Sequence, residues 1–358
     1  MARTFKGLVD FGAAGASWGM PGGAVEASVV PGASGIEFSV AKAAPLCVDY
    51  AQVVDLRLLN YYVHLVTDAG TVVISQLGKG TEDFFENAYD ALNACCAKAF
   101  FAQGQPLMEA EGDYAYDEGG EERRSHAKFA LYEDALFVYP HDMGARRVPL
   151  CFSDEPLVQR FSTTLRLRTG EWYSAARLGK DTDPFNRRLA AARKSCVERW
   201  AAAHADLEAH LTERLGETYL PRYQALCSTG ARVVCGLFDA AAAGDDSEDA
   251  ADPGFWFAAI GQGVAAVELA IGQAAATYLY EFDLPCDFES SLRRAMEAVG
   301  DHREVILLDD DAIREKPLCR MLVDRCAPVR FLREHNVGRL VHSGSWEDSV
   351  RAFLAGGR

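Results

Sequence analysis

One stretch of this chain occurs twice. Residues from Leu77, LGKGTEDFFENAYDALNACC, align without gaps to residues from Leu178, LGKDTDPFNRRLAAARKSCV, at an offset of 101 positions. Leu, Gly, Lys, Thr, Phe, Ala and Cys coincide at 77/178, 78/179, 79/180, 81/182, 84/185, 91/192 and 95/196. The flanks agree as well. Before each copy lie two β-rich runs joined by a glycine, YYVHLVTDAGTVVIS around Gly70 and STTLRLRTGEWYSA around Gly170. A chain that repeats at a fixed offset is constrained to build one supersecondary unit more than once.

The physics of that unit is readable. Alternating β-branched and aromatic residues around a glycine make a hairpin. Leu-Gly-Lys then breaks the strand, and Thr81 or Thr182 stands where a helix N-cap is expected, with acidic residues just after it. Phe84, Ala88, Ala91 and Cys95 follow at spacings of 4, 3 and 4, one apolar helical face, matched by Phe185, Leu189, Ala192 and Cys196. Upstream lie further short strands: IEFSV and YAQVVDLRLL in the first unit, KFALYE, ALFVYP and RRVPLCF in the second. Each unit therefore predicts six or seven short strands closed by one C-terminal helix, a small antiparallel β-barrel or sandwich in an α+β chain.

A degenerate third unit is expected as well. RVVCGLFD, GFWFAAI, VAAVELAIG and ATYLYEF read as strands and DFESSLRRAMEAVG as a helix, with Phe288 and Leu292 lying 103 residues after Phe185 and Leu189. The domain reading is a first unit over 1–105, an acidic linker over 106–125, a second unit over 126–217, a third over 218–304 and a helical C-terminal extension over 305–358. The helix of the second unit continues past its counterpart, since apolar residues keep 3–4 spacing from Phe185 to Leu211 and no Gly or Pro intervenes before Gly216. About eight turns of helix overhang a domain of this size. The far half must pack either on the third unit or on a second chain, a homodimer through helix 183–215.

A β-rich unit closed by a helix and repeated in tandem resembles the pleckstrin-homology-like superfold. More specifically, the chain is similar to uncharacterised actinobacterial proteins with tandem pleckstrin-homology-like domains. The likeness rests on the glycine hairpin with Leu77-Gly78-Lys79 and Phe84, the same set at Leu178-Gly179-Lys180 and Phe185, the strand Ala276–Tyr280, and the segment from Arg330 through Gly338, Arg339 and His342. It implies a binding module and brings no catalytic residue with it. Pleckstrin-homology domains that hold inositol lipids use clustered Lys/Arg after the first strand, and the first unit has no such cluster.

Charge narrows the partners. Acidic residues outnumber basic ones by 52 to 36, a net charge of -16, which argues against nucleic acid and against stable association with an anionic membrane. Ten cysteines without a CxxC pair read as reduced thiols, and neither a signal-peptide core nor an apolar run of the ~18–20 residues a span needs is present. The expected location is cytoplasmic. Only residues 126–200 are basic, at +4, and Arg146, Arg147, Arg166 and Arg168 there are the candidate residues for binding a protein or peptide partner. Arg146 and Arg147 follow Gly144 at a turn, where paired guanidiniums suit a carboxylate or phosphate.

No catalytic, cofactor-binding or metal-binding residue is nominated. Gly261-Gln262-Gly263-Val264-Ala265-Ala266 fits a dinucleotide fingerprint with Glu281 downstream, yet Gly272 interrupts any following helix, so a turn between strands is expected. His204 and His210 fall on different helix faces, His335 and His342 lie among arginines, and Asp309–Asp311 reads as the acidic start of a helix. The functional expectation is a non-catalytic binding or scaffolding protein. The alternative is a hydrolase or nucleotide-dependent enzyme with its site at an inter-unit cleft.

Overall fold

A computed structural model describes residues 3–100, 102, 104–118, 120–141, 144–237, 255–271, 274–283, 288–299, 305–306 and 308–356. The fold is α+β and its sheets are antiparallel. The first sheet comprises β1 (Phe5–Asp10), β2 (Ala24–Pro31), β3 (Gly35–Val40), β4 (Leu46–Asp49), β5 (Val53–Leu59), β6 (Tyr62–Thr67) and β7 (Gly70–Ser75). Its order is β4-β3-β2-β1-β7-β6-β5, with a short helix α1 (Ala14–Ser17) after β1 and helix α2 (Thr81–Ala99) after β7.

The second sheet comprises β8 (Met108–Glu118), β9 (Glu121–Leu131), β10 (Ala135–Pro140), β11 (Arg146–Pro149), β12 (Leu157–Gln159), β13 (Ser162–Arg166) and β14 (Trp172–Ala176). Its order, β11-β10-β9-β8-β14-β13-β12, is that of the first sheet, and helix α3 (Thr182–Ala209) follows its last strand. A bridge between Ser153 and Leu167 continues the pairing of β12 with β13, as Val53 and Thr67 do for β5 and β6. The two units agree in fine detail. Asn60 and Arg160 both take positive φ in the turn before β6 and β13, each followed by an exposed aromatic, Tyr61 or Phe161. Gly78 and Gly179, at φ 61° and 60°, turn the chain into the helix, and Thr81 and Thr182 each donate a 2.9 Å hydrogen bond to that glycine's carbonyl. Phe84 and Phe185 are fully buried, against Phe5 and Phe129 respectively.

The acidic stretch expected as a linker is instead the hairpin β8–β9 at the centre of the second sheet. The reason is its period of two: Ala110, Gly112, Tyr114 and Tyr116 point inward while Glu109, Glu111, Asp113 and Asp117 lie between them on the more exposed face. High charge on one face of an antiparallel strand is compatible with a core on the other.

The third sheet runs β15 (Arg232–Leu237), β16 (Phe255–Ile260), β17 (Val264–Ile271), β18 (Ala274–Glu281) and β19 (Asn336–Val341) in simple order. Among the described residues it does not reproduce the seven-strand order, and its last strand comes from the segment expected to be helical. That segment otherwise holds α6 (Asp310–Arg314), α7 (Pro317–Arg325), α8 (Ala327–Glu334) and α9 (Trp346–Leu354). β19 escapes a pattern reading because it is an edge strand with little buried apolar content. Gly261 and Gly263 form the turn between β16 and β17, the position expected for them, with Gly263 at φ 76°.

The long helix is also corrected. It stops at Ala209, and α4 (Leu211–Cys227) begins after a break at His210, with a second irregularity at Gly216 (φ 54°, ψ -164°). The breaks lay Leu207, Leu215, Tyr219 and Leu226 into one core on the third sheet. Both faces of β16 are covered: Trp256 and Ala258 join the core that holds the first sheet, while Phe255, Phe257 and Ala259 join that under α4 and α9. Helix α5 (Phe288–Val299) packs on α8 at the junction of the three sheets.

Candidate functional site

Three parts of the chain meet around a cleft of about 680 Å³ that is rich in arginine. Arg57 comes from β5, Arg123 from β9, Arg146 from the start of β11, Arg325 from the end of α7 and Arg330 from α8. Among the described residues two carboxylates, Asp55 and Asp324, line the same space, beside Tyr116 and Gly144. Five guanidiniums against two carboxylates make a locally positive cavity in a chain whose net charge is -16. A concave site with low-dielectric walls concentrates that potential.

The cleft is held firmly. The Arg146 guanidinium donates to the Gly144 carbonyl at 2.9 Å and to the Tyr116 hydroxyl at 3.0 Å, and lies 5.2 Å from the centre of that ring. Arg330 donates to the carbonyls of Asp324 (2.8 Å) and Val323 (3.2 Å), closing the open end of α7. Arg57 pairs with Asp55 on the rim.

Arg325 is the unusual member. Its side chain is 3% exposed, and Nη2 donates to the Val53 carbonyl at 3.3 Å. Among the described residues Nε and Nη1 find no hydrogen-bond acceptor, and the Asp324 carboxylate stands 3.9 Å from Nη1. A Cβ on Gly144 would collide with this guanidinium, so only glycine permits the approach. Buried charged donors without acceptors are costly, and such a group facing a cavity is suited to an incoming anion. Asp324 is under related stress: burial pushes its carboxyl above the ordinary range, while Arg325 and Arg320 pull it back.

The four arginines singled out by sequence separate in space. Arg146 lines the cleft. Arg147 does not: its buried guanidinium is clamped by Asp134 at 2.5 Å and by Glu297 of α5. Burial opposes the charge, but Glu297 and Asp134 outweigh it and hold Arg147 protonated. Arg166 and Arg168 sit exposed on either side of the buried Leu167. Arg57, Arg123 and Arg325 escaped sequence reading, and Arg330 was read there only within the terminal segment. Their convergence is set by strand order and helix packing, not by spacing along the chain.

A second polar cluster surrounds the fully buried Glu268 of β17. Arg222 (3.0 Å), Thr277 (2.6 Å) and His342 (3.0 Å) contact its carboxylate, and the Trp346 indole donates to the Thr277 hydroxyl at 2.7 Å. Each carboxylate oxygen has partners, so the cluster ties α4, α9 and β19 to the sheet. Among the described residues no group of three His, Cys, Asp or Glu could hold a metal ion, and no helix is long and apolar enough to cross a membrane. No protein-family model matches the chain, and no curated protein matches it either.

Proposed function

We propose that this chain is a non-catalytic binding or scaffolding protein with two pleckstrin-homology-like units, whose protein or peptide partner places an anionic group in the arginine cleft. The common order of the two seven-stranded sheets, each followed by a helix that starts in the same glycine–threonine turn, supports the fold reading. The third sheet, a simple meander, serves as the platform against which the units are fixed. The observation that carries the functional reading is Arg325, a buried guanidinium with two nitrogens that lack hydrogen-bond acceptors among the described residues, beside a cleft lined by four further arginines. The cleft lies between units, as an enzyme site would, but among the described residues its lining holds no Ser, Thr, Cys or His. Binding of a phosphate or carboxylate is the chemistry this lining suits.

The test uses inorganic phosphate, pyrophosphate and citrate as probes at constant ionic strength, with chloride as the control. Saturating anion should raise the melting temperature, since a ligand at 100 times its Kd stabilises by about 2.7 kcal/mol. Arg123→Ser should weaken binding about tenfold, the worth of one charge-assisted contact. Arg166→Ser, away from the cleft, should leave it unchanged. An equal response of all three proteins to every anion would sink the proposal.

A further inference from the structure

A different cleft, of about 590 Å³, lies between the first two units and has the opposite charge. Helix α2 brings Asp90 and Asn93 to it, β8 brings Glu109 and Glu111, β9 brings Lys128, and the turn before α3 brings Asp181. Among the described residues four carboxylates thus share the space with one ammonium. Lys128 reaches Asp90 at 3.3 Å and His126 stands 3.1 Å from Glu111, while Glu109 and Asp181 meet no cation among the described residues. Asn93 is 6% exposed, and among the described residues its side-chain carbonyl finds no hydrogen-bond donor. A buried amide oxygen is costly until a donor reaches it. The repeated unit does not need these acids. With Gly7 matched to Gly112 and Leu77 to Leu178, the first unit carries Thr4, Lys6 and Gly80 where the second has Glu109, Glu111 and Asp181.

We propose that this cleft binds a linear aliphatic polyamine, whose protonated nitrogens take the Asn93 carbonyl and the carboxylates of Glu109 and Asp181. A metal ion is the wrong shape for the lining: among the described residues no group of three His, Cys, Asp or Glu could hold one. Carboxylates set apart around a cleft suit charges set apart along a chain. Glu109 and Glu111 stand two residues apart on one face of β8, ~7 Å by strand rise, a distance that a butane-1,4-diamine unit spans. The methylenes between the nitrogens pack on Ala94, Ala130 and Tyr139, the apolar part of the wall. Lys128 already shows the arrangement in miniature, an aliphatic stem whose ammonium is held by Asp90 across the gap between the units. A chain with a net charge of -16 draws every cation weakly. The buried Asn93 carbonyl and the spacing of the acids are what select an amine.

The experiment titrates the full chain with spermidine by isothermal calorimetry at constant ionic strength, beside n-butylammonium and magnesium chloride. Spermidine should bind saturably and more tightly than butylammonium, and magnesium at equal ionic strength should not displace it. Glu109→Gln combined with Asp181→Asn should weaken spermidine by about tenfold or more, since charge-assisted contacts are lost. Asn93→Leu should weaken it too while leaving the net charge unchanged. Circular dichroism checks that each variant is folded, and the double variant alone decides the matter if Asn93→Leu is not. Asp154→Asn combined with Glu155→Gln removes the same charge from exposed positions outside the cleft and should leave the affinity as it was. No saturable binding, equal weakening in the two double variants, or displacement by magnesium would reduce the effect to diffuse attraction and overturn the assignment.

Discussion

Asp324 carries a charge that folding makes harder to keep. Burial raises its carboxyl above the ordinary 3.8, and Arg325 and Arg320 offset that only in part. An acid whose pKa is higher folded than unfolded opposes folding once it ionises. The penalty is absent below the unfolded value and grows as pH rises through the folded one. Asp324→Asn keeps the shape and removes the charge. Its melting temperature should exceed that of the parent at pH 7, and the difference should close as pH falls toward about 4. The same change should tighten phosphate binding, because a carboxylate leaves the arginine cleft. Thermal melts from pH 4 to 8 check the first outcome. A lower melting temperature at pH 7 would show that Asp324 is instead a needed partner for Arg320 and Arg325.

At the scale of elements, the two units share a close approach that their sequences conceal. Gly7 in β1 and Gly112 in β8 each lie so near the facing strand that a Cβ would strike the carbonyl of Ser75 or Ala176 and the side chain of Leu77 or Leu178. Gly→Ala in a strand ordinarily helps by reducing unfolded-chain entropy. Here Gly7→Ala and Gly112→Ala should each cost about 1–3 kcal/mol through overpacking, measured by urea denaturation. A neutral result at either position would mean that strand separates more easily from its neighbour. This pair also shows what sequence could and could not reveal. The glycine turn and the helix were legible because they share one offset of 101, with the hairpin before them only one residue off it, at 100 for Gly70 and Gly170. The offset is 100 over β2 to β6 and 105 at Gly7 and Gly112, because the β1–β2 connection carries α1 and the β8–β9 connection is a tight turn. A gapless comparison therefore misses β1 and β8, and the acidic face of β8 disguised it further. The runs ALFVYP and GFWFAAI were legible as strands, while their lack of alternation recorded burial on both faces. The cleft was legible only at Arg146, since nothing local marks Arg57, Arg123 or Arg325 as neighbours.

Across the whole molecule, α5 is where the parts are joined. Arg293 donates to the Cys235 carbonyl of the third sheet at 2.9 Å and to His204 of α3 at 2.5 Å. Glu297 pairs with Arg147 of β11, and Arg294 with Glu171 in the connection between β13 and β14. The last pair is the most deeply buried, at 4% and 3% exposure. Thr169 closes it, donating to Glu171 at 2.5 Å and accepting from Arg294 at 3.1 Å. A buried ion pair is weak evidence of net stabilisation, because desolvation of both charges offsets their attraction. Breaking it from one side is another matter. Arg294→Ala leaves the Glu171 carboxylate buried without its cation and should cost about 3–5 kcal/mol. The double change Arg294→Leu with Glu171→Leu removes both charges and should recover most of that loss. Urea unfolding followed by tryptophan fluorescence reads all three sheets, since Trp18, Trp172, Trp200, Trp256 and Trp346 are spread among the units and the third sheet. Coincidence with the far-ultraviolet transition would show that the parts unfold together. If the double variant is no more stable than Arg294→Ala, the arginine joins the sheets through the packing of its stem and its bond to Thr169, and the charge pair contributes orientation alone.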